Sequence, residues 1–237
     1  MIVIPAIDII DGKCVRLTQG DYNQVQLFNL DPVEQAKFFE KSGAKYIHVV
    51  DLDGAKTGKP VNFEVIKKIK ISTCLTVECG GGIRDKATVE LYLSSGIDYI
   101  IFGSVIFKNP DFVNEVINLF GKERFIASLD FKDGFVKLSG WQEATTITIE
   151  EGITTITNLG FERLIYTDIT TDGMLRGHNF EAAKYIRKLF NGFLTASGGI
   201  SSTEDIVRLK SIGVDAAIVG KALYTGQLKL EEIINIL

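Results

Sequence analysis

The chain has 237 residues, 46% hydrophobic and 24% charged, enough to bury one sizeable α/β core or, on length alone, two small ones. Its 30 acidic residues against 26 basic ones leave a net charge of −4. That balance excludes a basic footprint for nucleic acid or an anionic membrane, so any phosphate recognition has to be local. Cys14, Cys74 and Cys79 are odd in number and lack CxxC spacing, and the only histidines are His48 and His178. A disulfide framework and a zinc site are both disfavoured, and no metal is expected. The opening MIVIPAID has no basic flank and meets a carboxylate after a few apolar residues. It reads as neither signal peptide nor membrane span, and a cytoplasmic protein is expected.

Taken in chain order, short apolar runs rich in β-branched residues occur at 2–7 (IVIPAI), 46–50 (YIHVV), 74–78 (CLTVE) and 99–102 (YIIF). They recur at 124–129 (RFIASL), 163–167 (RLIYT), 193–196 (FLTA) and 216–219 (AAIV). Helical spacing fills most of the gaps, at 32–42, 63–70, 86–95, 110–119, 180–190 and 202–212. Eight strands alternating with helices predict a parallel sheet, and near-continuous apolar strands are what a sheet buried on both faces requires. A closed (β/α)8 barrel and an open doubly wound sheet both meet that description.

An internal repeat favours the barrel. Asp51 recurs as Asp168, Asn62-Phe63 as Asn179-Phe180, Gly81-Gly82-Ile83 as Gly198-Gly199-Ile200 and Gly103 as Gly220, each pair 117 residues apart (51 to 168). Asp8-x-x-Asp11-Gly12 recurs as Asp130-x-x-Asp133-Gly134, 122 residues apart (8 to 130). Two four-strand halves, about 1–120 and 121–237, then close into a single-domain TIM barrel with a pseudo-twofold axis. Its first strand stands opposite the fifth, and its third opposite the seventh.

The glycine motifs follow the third and seventh strands. Gly80-Gly81-Gly82-Ile83-Arg84 and Ser197-Gly198-Gly199-Ile200-Ser201 let the backbone approach an anion, with the N–H groups of the next helix close by. Gly103-Ser104 and Gly220-Lys221, after the fourth and eighth strands, complete each cradle. A lone Gly-Gly is more often just a tight turn. Four glycine sites in register favour two phosphate sites, one on each side of the barrel mouth.

Asp8 and Asp130 end the first and fifth strands and face one another between those sites. One accepting a proton and the other donating one gives acid/base chemistry without a cofactor. A strand-end aspartate is also a common helix cap, and for Asp51 and Asp168 that reading stands level with a substrate contact. Asp11-Gly12 and Asp133-Gly134 are hairpin signals, placing ribbons 9–17 and 131–138 over the mouth. Arg16 and the single tryptophan, Trp141, could reach substrate from there, the indole by stacking on a heteroaromatic ring. Thr167 and Asp172, after the sixth strand, offer a hydroxyl and another carboxylate near Asp130. His48 reads as a core histidine, and His178 as a loop residue with no partner nearby in sequence.

These residues resemble the phosphoribosylformimino-aminoimidazole carboxamide ribotide (ProFAR) isomerases of histidine biosynthesis. The likeness runs through IPAIDIIDGKCVRLTQGD (4–21), VDLDGAKTGKPVNF (50–63), GGGIR (80–84), SLDFKDGFVKLSGW (128–141), YTDITTDGML (166–175), ASGGI (196–200) and GKALYTG (220–226). It implies an Amadori rearrangement of an aminoaldose to an aminoketose on a substrate with a phosphoribosyl group at each end. It further implies Asp8 as the base at C2′ and Asp130 as the acid that opens the ribose ring, with Thr167 assisting. Arg16, Trp141 and Asp172 become substrate contacts, and no cofactor is implied. The chain departs from the family pattern at Ser104 (commonly threonine), Thr171 (commonly charged) and His178 (commonly proline).

The rival readings are the sister cyclase that works with a glutamine amidotransferase and a bifunctional isomerase that also acts on phosphoribosyl anthranilate. A catalytically silent phosphate-binding barrel is the non-enzyme alternative. Arg16-Leu17 and Trp141 depart from the cyclase pattern. A Schiff-base aldolase would need a lysine at a strand end, where only Lys221 is close and a phosphate role explains it. The expected partner is a bisphosphorylated small molecule, bound by a monomer.

Overall fold

The computed structural model describes residues 1–28, 30–175 and 177–237. Its strands in chain order are β1 (Ile2–Ile10), β2 (Lys13–Thr18), β3 (Asp21–Leu27), β4 (Tyr46–Asp51), β5 (Thr76–Gly80), β6 (Tyr99–Phe102), β7 (Phe125–Lys132), β8 (Phe135–Leu138), β9 (Glu143–Thr148), β10 (Arg163–Asp168), β11 (Phe193–Ser197) and β12 (Ala216–Val219). Eight of them pair in parallel in the order β1-β4-β5-β6-β7-β10-β11-β12, and β12 returns to β1 through Ile2↔Ala216 to Pro5↔Val219. The sheet therefore closes, and the molecule is a (β/α)8 barrel rather than an open doubly wound sheet.

Closure separates the apolar side chains into two sets. Ile4, Ala6, Ile101, Ile126, Ile165, Ala216 and Ile218 point inward and fill the barrel. Alternate residues such as Val3, Ile7, Ile9, Ile47, Val49 and Val77 point outward beneath the helices. Being apolar on both faces is what made these strands read as continuous runs. At the barrel floor the Arg163 guanidinium lies between the rings of Tyr99 and Phe193, at 4.7 and 4.6 Å.

Helices start where the side chains supply caps. Asp31 accepts from Val33 and Glu34 N–H ahead of Pro32–Lys41, Asp85 from Thr88 ahead of Lys86–Ser94, and Ser202 from Asp205 ahead of Thr203–Ile212, each worth about 1 kcal/mol. The two Asp-Gly pairs turn as expected: Asp11 and Gly12 have φ 48° and 69°, and Asp133 and Gly134 have φ 54° and 85°. Positive φ at both central residues is the type I′ hairpin turn. It pairs β1 with β2 at Ile10↔Lys13 and β7 with β8 at Lys132↔Phe135. Each hairpin gains a third strand, β3 or β9.

Helix Ile149–Asn158 had no counterpart in the sequence reading. Six of its ten residues are β-branched and one is Gly, a composition that argues for strand. Tertiary packing overrides this: Thr148 and Glu151 form a capping box, and Ile149, Ile153 and Ile156 bury one face. Gly152 lies so close that a β-carbon would stand 2.6 Å from Leu129 Cδ1. No helix among the described residues is long and apolar enough to cross a membrane.

Candidate active site

The C-terminal ends of the barrel strands surround a cavity of about 290 Å³, whereas a second hollow at the floor, about 10 Å³, holds no more than a water. Asp8, Arg16, Asp130, Trp141, Thr167 and Asp172 all line the large cavity. So does every glycine, lysine, arginine and serine predicted to bind phosphate: Gly81, Gly82, Arg84, Gly103, Ser104, Gly198, Gly199, Gly220 and Lys221. In the strand order, β1 lies across the barrel from β7 and β5 across from β11. The two glycine turns therefore occupy opposite walls, with the Asp8–Asp130 line crossing between them.

Asp8 receives the Arg16 guanidinium at 2.6 Å. Arg16 is 8% exposed, also donates to the Ala6 carbonyl, and stacks 5.0 Å over the Tyr224 ring. Opposite, Asp130 accepts from Trp141 Nε1 at 2.8 Å and from the Ser128 hydroxyl at 3.1 Å, with Thr167 beside it in the ladder. Burial raises the Asp130 carboxyl above its ordinary range, against the opposing pull of the Trp141, Thr167 and Ser128 hydrogen bonds. The two carboxyls thus sit in different surroundings, one beside a guanidinium and one among neutral donors. Trp141 has φ 69° and its ring lies against Gly20, where a β-carbon would stand 2.1 Å from Cε3. The two ribbons thereby meet over the mouth, and the indole edge is engaged by Asp130.

Glycine is required in both cradles. A β-carbon on Gly82 would stand 2.4 Å from Gly54 O, and one on Gly199 2.5 Å from Gly177 O. Their φ values of 79° and 76° are strained for any other residue. Lys221 Nζ is held by Gly173 O at 2.9 Å, the Ser104 hydroxyl by Ser139 N–H at 2.8 Å, and Arg84 by Ala55 O at 2.8 Å.

Residues 2–229 match the family model described as histidine biosynthesis protein. The chain belongs to this family. It is 86% identical over 237 residues, 100% of both chains, to the 1-(5-phosphoribosyl)-5-((5-phosphoribosylamino)methylideneamino)imidazole-4-carboxamide isomerase of Caldicellulosiruptor bescii. The proteins of the same name from Caldicellulosiruptor saccharolyticus and Halothermothrix orenii are 75% identical over 236 residues, 100% of both chains, and 45% identical over 231 residues, 98% of both chains.

Two aspartates expected as substrate contacts lie elsewhere in this family member. Asp51, 0% exposed, accepts from the N–H groups of Gly54, Val61 and Asn62 and from the Asn62 side chain at 2.7–2.8 Å. Asp168 accepts from Thr170 N–H at 2.9 Å, its hydroxyl at 2.6 Å and Asn179 Nδ2 at 2.6 Å. Both carboxylates fasten the loops that back the cradles, Asp51 as an N-cap and Asp168 through loop hydrogen bonds, and neither lines the cavity.

His48, read as a core residue, lines the cavity with Nδ1 2.7 Å from Glu78 Oε1. Strand parity was the available signal: His48 pairs with Ala6, two residues before Asp8, and so shares its inward face. His178, in a loop and with no partner nearby in sequence, is buried with both ring nitrogens engaged by the distant Tyr166 and Gly198.

Asp172 is pushed up to about 7, first by burial and then by Asp8 and Asp130, against Arg16 and Lys221. A carboxyl raised from 3.8 makes its folded-state contribution fully below that value and loses it as pH climbs through 7. Asp172→Asn is therefore expected to raise the thermal midpoint by about 5 °C at pH 8, on the order of 2 kcal/mol after solvent screening, and hardly at all at pH 4. Calorimetric scans at the two pH values check this, and an equal gain at both would refute it.

Proposed function

We propose that this protein catalyses the Amadori rearrangement of ProFAR to PRFAR in histidine biosynthesis, as an intramolecular oxidoreductase. The observation that carries the reading is a pair of glycine cradles on opposite walls of one cavity, with Asp8 and Asp130 crossing between them. A substrate with a phosphate at each end spans that distance, and its central aminoaldose then lies between the carboxyls. Gly81, Gly82, Arg84, Gly103 and Ser104 hold one phosphate, and Gly198, Gly199, Gly220 and Lys221 the other, through backbone N–H groups and local positive charge.

Asp130, raised by burial, acts as the acid. Its proton goes to the ribose ring oxygen, the C1′–O bond breaks, and the nitrogen lone pair closes to an iminium. Asp8 then takes the C2′ proton, and those electrons neutralise the iminium to an enolaminol. Ketonisation follows as C1′ gains a proton and the C2′ hydroxyl gives one up, which returns both carboxyls to their starting states. Thr167 supports Asp130, Arg16 and Asp172 bind polar groups of the substrate, and Trp141 offers its face to the heteroaromatic ring once the substrate draws it from Asp130. None of these steps calls on a cofactor.

The chain is proposed to act as one domain over 1–237 built from two related halves, about 1–120 and 121–237, and as a cytoplasmic monomer. Supporting the halves are the matched hydrogen bonds from Asn62 to Asp51 and from Asn179 to Asp168 and the matched positive φ at Gly81-Gly82 and Gly198-Gly199.

The test is to incubate purified protein with ProFAR, without added metal or nucleotide, and follow ketose formation by absorbance. Turnover establishes the isomerase. Binding of ProFAR without turnover overturns it in favour of the silent barrel or the cyclase, and parallel assays with phosphoribosyl anthranilate, and with PRFAR plus ammonia, separate the bifunctional and cyclase readings.

A further inference from the structure

Two residues of the loop after β10, Gly177 and His178, meet the turn after β11, and a third, Asn179, ties the loop back to β10. Gly177 places its carbonyl against Gly199, and Asn179 donates to Asp168 while capping helix Phe180–Leu189. Between them His178, 6% exposed, has Nδ1 2.7 Å from the carbonyl oxygen of Gly198 and Nε2 2.9 Å from the Tyr166 hydroxyl. A carbonyl can only accept, so Nδ1 carries the proton and Nε2 accepts from Tyr166. Burial agrees with this single neutral tautomer, holding the imidazole below its ordinary range and the Tyr166 phenol well above its own. Edge-on contacts with Tyr166 and Phe180, with ring centroids 5.6 and 5.9 Å away, fix the ring plane.

What this bond controls follows from peptide geometry. In a trans peptide the C=O and the following N–H point in opposite directions. With the Gly198 carbonyl turned into the protein toward His178, the Gly199 N–H is turned the other way, toward the cavity that Gly199 lines. That N–H has no acceptor among the described residues. Gly198, at φ 88°, and Gly199, at φ 76°, place little steric resistance on a flip of the peptide between them.

We infer that His178 is a positioning residue for the cradle after β11, locking the Gly198–Gly199 peptide so that the Gly199 N–H meets a phosphate of the substrate. The inference rests on the anion-binding reading of that cradle. In the other half the matching residue, Val61, has no side-chain donor. The two phosphate sites are therefore unequal in design, and only one depends on an imidazole.

The test uses the full chain. His178→Phe fills the space without a donor and is expected to raise KM about tenfold with kcat within about threefold, the loss of one charge-assisted hydrogen bond. In a 31P titration with inorganic phosphate, at concentrations that saturate the parent, the number bound falls from two to one. His178→Asn returns a donor near the Nδ1 position and brings KM back to within about threefold of the parent. Tyr166→Phe removes the Nε2 partner but leaves the Nδ1–H bond to Gly198 O as the one the ring can make, so KM stays within about threefold of the parent, and His178→Leu replaces His178→Phe if that variant folds poorly. Unchanged KM and phosphate binding in folded His178→Phe, or His178→Asn no better than His178→Phe, overturns the inference alone. A parent that binds no inorganic phosphate removes the cradle reading beneath it.

Discussion

Asp8→Asn and Asp130→Asn will each lower kcat by about 10²–10⁴-fold while KM stays within about threefold. The amide is isosteric with the carboxyl but neither takes nor gives a proton in this pH range, and both phosphate cradles are left intact. The two variants differ in stability. At position 130 the amide oxygen still accepts from Trp141 Nε1 and the amide NH2 donates to the Ser128 hydroxyl, which can turn to accept, so the fold is little disturbed. At position 8 the buried Arg16 guanidinium loses its carboxylate partner at 2.6 Å and keeps the Ala6 carbonyl and the Tyr224 ring. Asp8→Asn is therefore expected to cost about 3 kcal/mol as well, close to 10 °C in thermal midpoint. Steady-state kinetics beside thermal unfolding separate the two effects, and a folded Asp130→Asn enzyme retaining more than a tenth of parental kcat would dismiss Asp130 as the acid.

Asp51→Ala is expected to strike the fold rather than the chemistry. Four donors converge on a carboxylate that is fully buried, namely Gly54, Val61 and Asn62 N–H and Asn62 Nδ2. Removing it leaves the three N–H groups unpaired at about 1–3 kcal/mol each before relaxation, while Asn62 Nδ2 keeps Asp53, so a net loss on the order of 4 kcal/mol and a fall of about 8–16 °C in midpoint follow. The folded fraction, assayed well below that midpoint, keeps kcat within about threefold of the parent because no catalytic contact has gone. Normal stability combined with lost activity would instead return Asp51 to the substrate.

Asp8, Asp51, Asp130 and Asp168 all end or nearly end barrel strands and look alike in sequence. Register separates them. Asp8 pairs with Val50 and Asp130 with Thr167, on the face that turns inward; Asp51 pairs with Ile9 and Asp168 with Phe131, on the face that turns out beneath the helices. A one-residue difference in strand phase decides between cavity and core. The same parity brings His48 to the cavity, which a histidine within an apolar run did not reveal.

Local sequence alone determined what depends on local physics: eight apolar strand runs, six helices with their polar starts, two Asp-Gly hairpins and four glycine turns, two of them at positive φ where only a residue without a β-carbon fits. Tertiary structure decided what depends on distant groups. It made a helix of Ile149–Asn158 despite its β-branched composition, because Leu129 and the barrel wall offered its apolar face a surface to cover. It raised Asp130 and Asp172 by enclosing them, and it joined His178 to Gly198 across 20 residues. Turns, caps and periodicity are written within a few residues of one another, whereas burial, strand phase and the partners of a buried polar atom exist only once the barrel has closed.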